Sequence, residues 1–224
     1  MISIFIDNAI KAACPQLTLG LISCKVHNTS MNESLWDAFL AAQQSLRSRY
    51  SLEQIKQMAA IEATRNVYKR LGKDPNRYRP SAEALCRRII RHLPIYQINT
   101  LVDLINLVSI QTGFSIGGFD ADKIKGDLLL TVGTAEDSFE GIGRGLLNIE
   151  GLPVYKDAMG GIGTPTSDHE RTKITLDTSH LLMIINGYSG NEGIQEALTL
   201  TVHLLHQYAL AEEIVINTVT NAPI

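Results

Sequence analysis

The sequence predicts an α+β fold. Helical segments and short β-like runs are segregated along the chain instead of alternating regularly, which argues against a doubly wound parallel sheet. Apolar residues recur at helical spacing through most of residues 30–112, whereas after Gly113 short β-like runs alternate with Gly-rich turns. No internal repeat and no low-complexity linker divides the chain. A single domain over residues 1–224 is the simplest reading, with residues 1–64 wrapping a core at 65–212.

The elements follow in order. Strands are expected at about 2–6 and 17–27. Ser30 or Asn32 can cap a first helix, whose Leu35, Trp36, Phe39 and Leu40 share one side. A second helix from about Leu52 to Leu71 puts Ile55, Met58, Ala59 and Ala63 together and stops at Gly72, with Pro75 soon after. Ser81 is a natural N-cap for a third helix, in which Leu85, Ile89 and Leu93 form the buried stripe and Pro94 is the stop. A fourth runs from Thr100 to Thr112, with Gly113 as its C-terminal signal. Strand-like runs come next: GDLLLTV (126–132), FEGIGRGLLNIEG (139–151), TKITLD (172–177) and LLMIIN (181–186). A last helix spans Glu192 to Ala211, with Ile194, Ala197, Leu198, Val202, Leu205, Tyr208 and Ala209 on its buried side.

Composition narrows the function class. Apolar residues make up 45% and charged residues 19%, which fits a globular protein and excludes a disordered one. Three cysteines (Cys14, Cys24, Cys86), odd in number and without Cys-x-x-Cys spacing, argue against a disulfide framework or structural zinc and fit a reducing cytoplasm. The stretch MISIFIDNAIKAACPQ has no basic n-region and meets Asp7 after a short apolar run, so a signal peptide is not expected, and the apolar runs are far below the ~20 residues that span a bilayer.

Charge is distributed unevenly. Net charge is −3, yet the segment from Arg65 to Arg91 holds nine basic and two acidic residues, or +7, leaving −10 for the remainder. A local positive surface on an acidic protein attracts phosphates. Arg77, Arg79, Arg87, Arg88 and Arg91 are the candidate RNA-binding residues, while solvated faces or an internal arginine network remain open as the structural alternative.

Catalytic motifs are mostly absent. There is no P-loop, no Gly-x-Ser-x-Gly and no His-Glu-x-x-His. The glycines of GIGRG (141–145) read as a hairpin turn, and Glu196, His203 and His206 lack the remaining ligands of a metal site, so no metal or cofactor is expected. The segment GGIGTPTSDHERT (160–172) is too polar for core and longer than a hairpin needs. Its hydroxyls and amides suit a polar ligand such as a ribose or phosphate, and equally suit a turn in which Asp and Thr side chains bond their own backbone.

VDLINLVSIQTGFSIGGFDADKIKG (102–126) then gives a resemblance. It is similar to the tRNA-editing domain, modules B-3 and B-4, of the bacterial phenylalanyl-tRNA synthetase beta subunit, and MGG at 159–161 continues the correspondence. Still closer are stand-alone relatives of that domain, through LGKDPNRYRPSAEALCRR, VDLINLVS, GIGRGLLNIEGLPV and GTPTSDHERTKI. The resemblance implies a sandwich-like antiparallel or mixed β core flanked by helices, and contact with tRNA or aminoacyl-tRNA. In the synthetase this domain hydrolyses tyrosine wrongly esterified to the phenylalanine tRNA. A positioned water and oxyanion donors suffice for such an ester, without a metal or protein nucleophile.

Carried over position by position, Asn106 matches the helix asparagine and Asp120 the acidic residue after the loop. Asp177 stands where the synthetase has its pocket glutamate, and is the candidate catalytic residue. Gly117 replaces the pocket histidine and Ile105 the pocket threonine, so the partner for a phenolic hydroxyl is missing. The expected ligand pocket comprises Asn106, Ser115, Gly117, Asp120, Thr164, Thr166, Ser167, Asp168, Arg171 and Thr172. Three functions follow: an RNA-binding module for tRNA or aminoacyl-tRNA, a trans-editing deacylase built on Asp177 and the loop hydroxyls, or a small-metabolite binder.

Overall fold

The computed structural model describes residues 2–221. Two four-stranded sheets stack face to face, and helices cover the outer face of one of them. The first sheet has the order β1 (Ile4–Ile6), β4 (Leu128–Val132), β7 (Pro153–Asp157) and β8 (Gly160–Gly163), with only the β1–β4 pair parallel. The second is fully antiparallel, in the order β10 (Glu212–Thr220), β2 (Thr18–Lys25), β9 (His180–Gly187) and β3 (Ile116–Asp120). A small hairpin, β5 (Glu140–Gly141) and β6 (Gly145–Leu146), stands apart from both. This is the α+β, sandwich-like architecture the sequence implied.

Strand alternation divides the core in two. Leu19, Leu21, Leu182 and Ile184 of the second sheet meet Leu128, Leu130 and Tyr155 of the first, with Ile10 of the short helix α1 (Asn8–Ala13) at one end. The intervening residues Ile22, Met183, Ile185 and Ile116 point the other way, into a helical layer. Residues two apart on a strand share a face, so one strand feeds both cores.

That helical layer is made of α2 (Glu33–Arg49), α3 (Ala59–Arg70), α4 (Ser81–Ile90), α5 (Thr100–Thr112) and α6 (Ile194–Ala209). Asn32 caps α2, its Oδ1 accepting the Leu35 N–H at 3.0 Å, and Asn99 caps α5 by accepting from Val102 at 3.0 Å. Gly113 ends α5 at φ +80°, a left-handed conformation that glycine adopts without steric cost. Most of α5 is buried, because it lies between the second sheet and its helical neighbours.

Several local expectations need correction. The helix foreseen from Leu52 begins only at Ala59, since Met58 is extended (ψ 128°) after a 3-10 turn at Ile55–Gln57. Pro80, not Ser81, occupies the N-cap of α4; the Ser81 N–H donates to the Pro165 carbonyl at 2.8 Å. The buried stripe of α4 is Ala82, Glu83, Cys86 and Ile89, so Leu85 is turned partly outward. The helix ends before Leu93 because His92 takes φ +56° while the N–H groups of His92 and Leu93 donate back to the carbonyls of Ile89 and Arg88.

TKITLD is not a strand. The Thr175 N–H donates to the Thr178 hydroxyl at 2.9 Å and the Thr175 carbonyl accepts from Asn28 at 2.8 Å, so side chains satisfy the backbone in place of a ladder. On α6, Val202 and Tyr208 are half-buried and Thr201 and Leu204 take up the inner face. The strand β10, unforeseen from sequence, extends the second sheet beside β2.

Candidate functional site

An apolar cavity of about 460 Å³ opens where α4, α5, β3 and the 164–174 loop converge. Its walls include Leu85, Val102, Ile105, Ile116, Ile142 and Ile174. Polar groups are few: Asn106 from α5, Thr164, Ser167 and Asp168 from the loop, with Ser81, Ser109 and Lys173 at the margin. Such a volume, mostly apolar with few convergent polar groups, lies within the range of small-ligand sites.

The loop holds its shape by bonding itself. Thr164 Oγ1 accepts the N–H groups of Thr166 and Ser167 at 3.2 and 3.1 Å and donates to the Ser167 carbonyl at 3.0 Å. The reading of this segment as a turn that bonds its own backbone therefore holds, and the turn places Thr164, Ser167 and Asp168 on the cavity.

Asp168 is the unusual member. One carboxylate oxygen accepts the Gly118 N–H at 3.2 Å, and no ion pair reaches the carboxylate among the described residues. Burial pushes this carboxyl up to about 7, against the Gly118 N–H, which favours the ionised form. Close backbone approach makes room for it: a Cβ on Gly163 would lie 2.7 Å from Asp168 Oδ1 and 2.6 Å from the Phe119 ring. A Cβ on Gly118 would lie 2.4 Å from Ile105 Cδ1, inside the cavity.

A basic groove of about 410 Å³ adjoins the cavity. It shares Ser81, Leu85 and Asn106 with the cavity and carries Arg79, Arg87, Arg88, Arg91 and Arg144. Beneath it, the buried Glu83 carboxylate faces Arg65 at 2.7 Å, Arg79 at 3.5 Å and Arg87 at 4.0 Å. One negative charge thus serves three positive ones. The Nε atoms of Arg79 and Arg87 are buried without a hydrogen-bond partner among the described residues. Burial lowers the Arg87 pKa from its usual value; the neighbouring Arg79, Arg91 and Arg65 lower it further, against the pull of Glu83. Arg88 lies over the Tyr96 ring at 5.4 Å and donates to the Pro94 carbonyl at 2.6 Å.

The basic run from Arg65 to Arg91 is accordingly divided. Arg65 is committed to Glu83, the Pro75 carbonyl and Asn76; Arg70 donates to the Ala13 carbonyl. The Lys73 ammonium is held by the carbonyls of Asn148 and Glu150 and lies 3.8 Å from the Tyr78 ring centroid, and burial lowers its pKa. Arg77 is exposed beside Tyr78 and lines a neighbouring depression that also includes Arg144. The internal arginine network foreseen as the alternative exists around Glu83, and outside it Arg88 and Arg91 line the groove.

Of the sequence-derived pocket residues, Asn106, Thr164, Ser167 and Asp168 meet at the cavity. The others lie elsewhere. Ser115 Oγ accepts from Ala82 N–H at 3.4 Å, and Thr166 is hydrogen-bonded to buried Tyr68 at 2.9 Å. Asp120 binds the Thr178 hydroxyl at 2.9 Å and pairs with Lys123 at 3.0 Å. Arg171 clamps Asp157 with two bonds of 3.0 and 2.8 Å, and Thr172 is buried behind the loop. Gly117 faces Phe119, and its neighbour Gly118 reaches the cavity. Asp177 is exposed on a turn and is not part of the cavity wall. Sequence reasoning missed Arg144, Glu83 and Lys173. A cation at the tip of the GIGRG hairpin was a usable signal for the first; nothing local distinguished the other two.

The fold and this site define a sandwich-type α+β domain with an apolar pocket under a cationic rim. The B3/4 domain family model matches residues 63–209, and the chain belongs to that family. Among solved structures, an N-terminal fragment of the phenylalanyl-tRNA synthetase beta subunit from Pyrococcus horikoshii is similar at 15% identity and a TM-score of 0.49. The match covers 95% of this chain and 50% of that one, so the chain spans about half the length of the fragment. No curated protein matches the sequence. Among the described residues no helix is long and apolar enough to cross a membrane.

Proposed function

We propose that this B3/4 domain binds tRNA through the arginine groove and receives the aminoacylated end in the adjoining cavity. The observation that carries the reading is the junction itself: a cationic groove and an apolar cavity share Ser81, Leu85 and Asn106. Phosphates would neutralise a cluster in which one buried carboxylate faces three guanidinium groups, and would release counterions on binding. The resemblance of its motifs to the synthetase editing domain supports the same ligand class. A small metabolite alone would leave the groove without a role.

The test is tRNA binding as a function of salt, with Arg88, Arg91 and Arg144 replaced together by glutamine. These three face the groove without pairing with Glu83. Affinity should fall at least tenfold, and the slope of log affinity on log salt should become shallower by about one for each phosphate no longer neutralised. Unchanged affinity and slope would overturn the reading. Following the ester bond of the charged tRNAs in the same samples separates a binder from a deacylase.

A further inference from the structure

A carboxylate at the wall of an apolar cavity, without a counter-ion, needs a partner. Asp168 has one hydrogen bond, from the Gly118 N–H, and its Oδ1 has no hydrogen-bond partner among the described residues. The cationic, phenolic and imidazole groups around it are already engaged. The Lys173 ammonium, at the cavity margin, is held by Glu170 at 2.5 Å. The buried Tyr155 hydroxyl donates to Asn186 at 2.6 Å. The Arg171 guanidinium, three residues along the chain, is occupied by Asp157. His169 turns its Nδ1 to the Arg171 N–H at 2.9 Å.

Two further features define what would fit. The rest of the wall is mostly aliphatic, with Val102, Ile105, Ile116 and Ile174, and besides Asp168 it carries no aromatic or acidic side chain. The opening leads to the arginine groove through Ser81 and Asn106. A ligand satisfying all three surfaces has a primary ammonium, an apolar body and a phosphate-bearing continuation.

We propose that Asp168 binds the α-ammonium of an aminoacyl group whose aliphatic side chain fills the cavity, making it the group that distinguishes a charged from an uncharged or N-blocked tRNA end. The inference rests on the tRNA reading above and assigns the ligand class for that site. An ionised carboxylate in an apolar wall is costly when alone and is stabilised by a hydrogen-bonded cation, so the pairing favours the ligand that carries one. Acetylating the amine removes the charge and adds bulk at the same point.

The experiment compares leucyl-tRNA, N-acetyl-leucyl-tRNA and uncharged tRNA for binding to the wild-type protein and to Asp168→Asn. The wild-type protein should bind leucyl-tRNA at least tenfold more tightly than either of the others, and Asp168→Asn should erase that preference while keeping its affinity for uncharged tRNA. Equal binding of the three by the wild-type protein would overturn the assignment and leave the tRNA reading intact. Should no tRNA bind, the tRNA reading fails by itself, and leucinamide against isocaproamide (the same body without the amine) decides the assignment. A preference for leucinamide that Asp168→Asn abolishes sustains it; no preference, or no binding of either, refutes it.

Discussion

Replacing Asp168 by asparagine should stabilise the protein, and the gain should grow with pH. The native carboxyl titrates at about 7, against the ordinary aspartate value of 3.8. Between those two values the folded state keeps a proton that the unfolded chain has released. Stability therefore falls as pH rises through that window and levels off above it. At roughly 1.4 kcal/mol per pH unit, the loss has an upper limit of about 4 kcal/mol. Partial solvent exposure of the half-buried side chain reduces it, and a net effect of about 2 kcal/mol is the working expectation. Asparagine has nearly the same shape, keeps an acceptor for the Gly118 N–H and carries no charge, so its stability lacks this slope. Asp103, which burial also pushes up to about 6, contributes equally to both proteins and cancels in the difference. Urea unfolding of both proteins at pH 4, 5, 6, 7 and 8 measures it. The two should be nearly equal at pH 4, and the variant should be the more stable at pH 8, by about 4–8 °C in a parallel thermal scan for a protein of this size. Equal stability at both ends would refute the claim that Asp168 is held in a desolvated, uncompensated position.

Two other outcomes follow from the same geometry. Glu83→Gln leaves Arg65, Arg79 and Arg87 around a neutral side chain and should destabilise the fold by about 3 kcal/mol; denaturant unfolding with and without added phosphate should show the anion restoring part of the loss. Cys14, Cys24 and Cys86 are buried, and burial pushes their thiols up to about 11, 12 and 12, so a thiol reagent at pH 8 should react with none of them in the native protein and with all three after unfolding.

Much of the fold was legible because its signals are local. Asn99 before an apolar helix and Gly113 after it fix α5 at both ends. The run LLMIIN stands at the centre of the second sheet, where a strand buried on both faces is apolar throughout. Where the reading failed, a side chain had acquired a distant partner. TKITLD alternates like a strand, but Asn28, 147 residues earlier, takes the Thr175 carbonyl. Leu85 has the spacing of a core residue, yet the buried position on α4 belongs to Glu83, because the arginines that neutralise it come from α3, the preceding turn and α4 itself.

The sequence by itself determined the α+β class, the positions of most helices and strands, the concentration of positive charge between residues 65 and 91, and membership of a family whose motifs it carries. Only the tertiary structure decided which of those charges are free. Arg65 and Lys73 are spent inside the protein, and Arg144 joins the rim from a hairpin more than fifty residues away in sequence. Likewise, the sequence reading put Asp120, Asp168 and Arg171 in one ligand pocket with Asp177 as the candidate catalytic residue, and folding separated them. Asp120 and Arg171 found oppositely charged partners, Asp177 remained in solvent, and Asp168 was carried against Gly118 and Gly163, where the missing side chains leave space for a carboxylate but supply no cation. The reason is physical: a charge's chemistry depends on what surrounds it in three dimensions, and that environment is assembled from segments the local sequence cannot see.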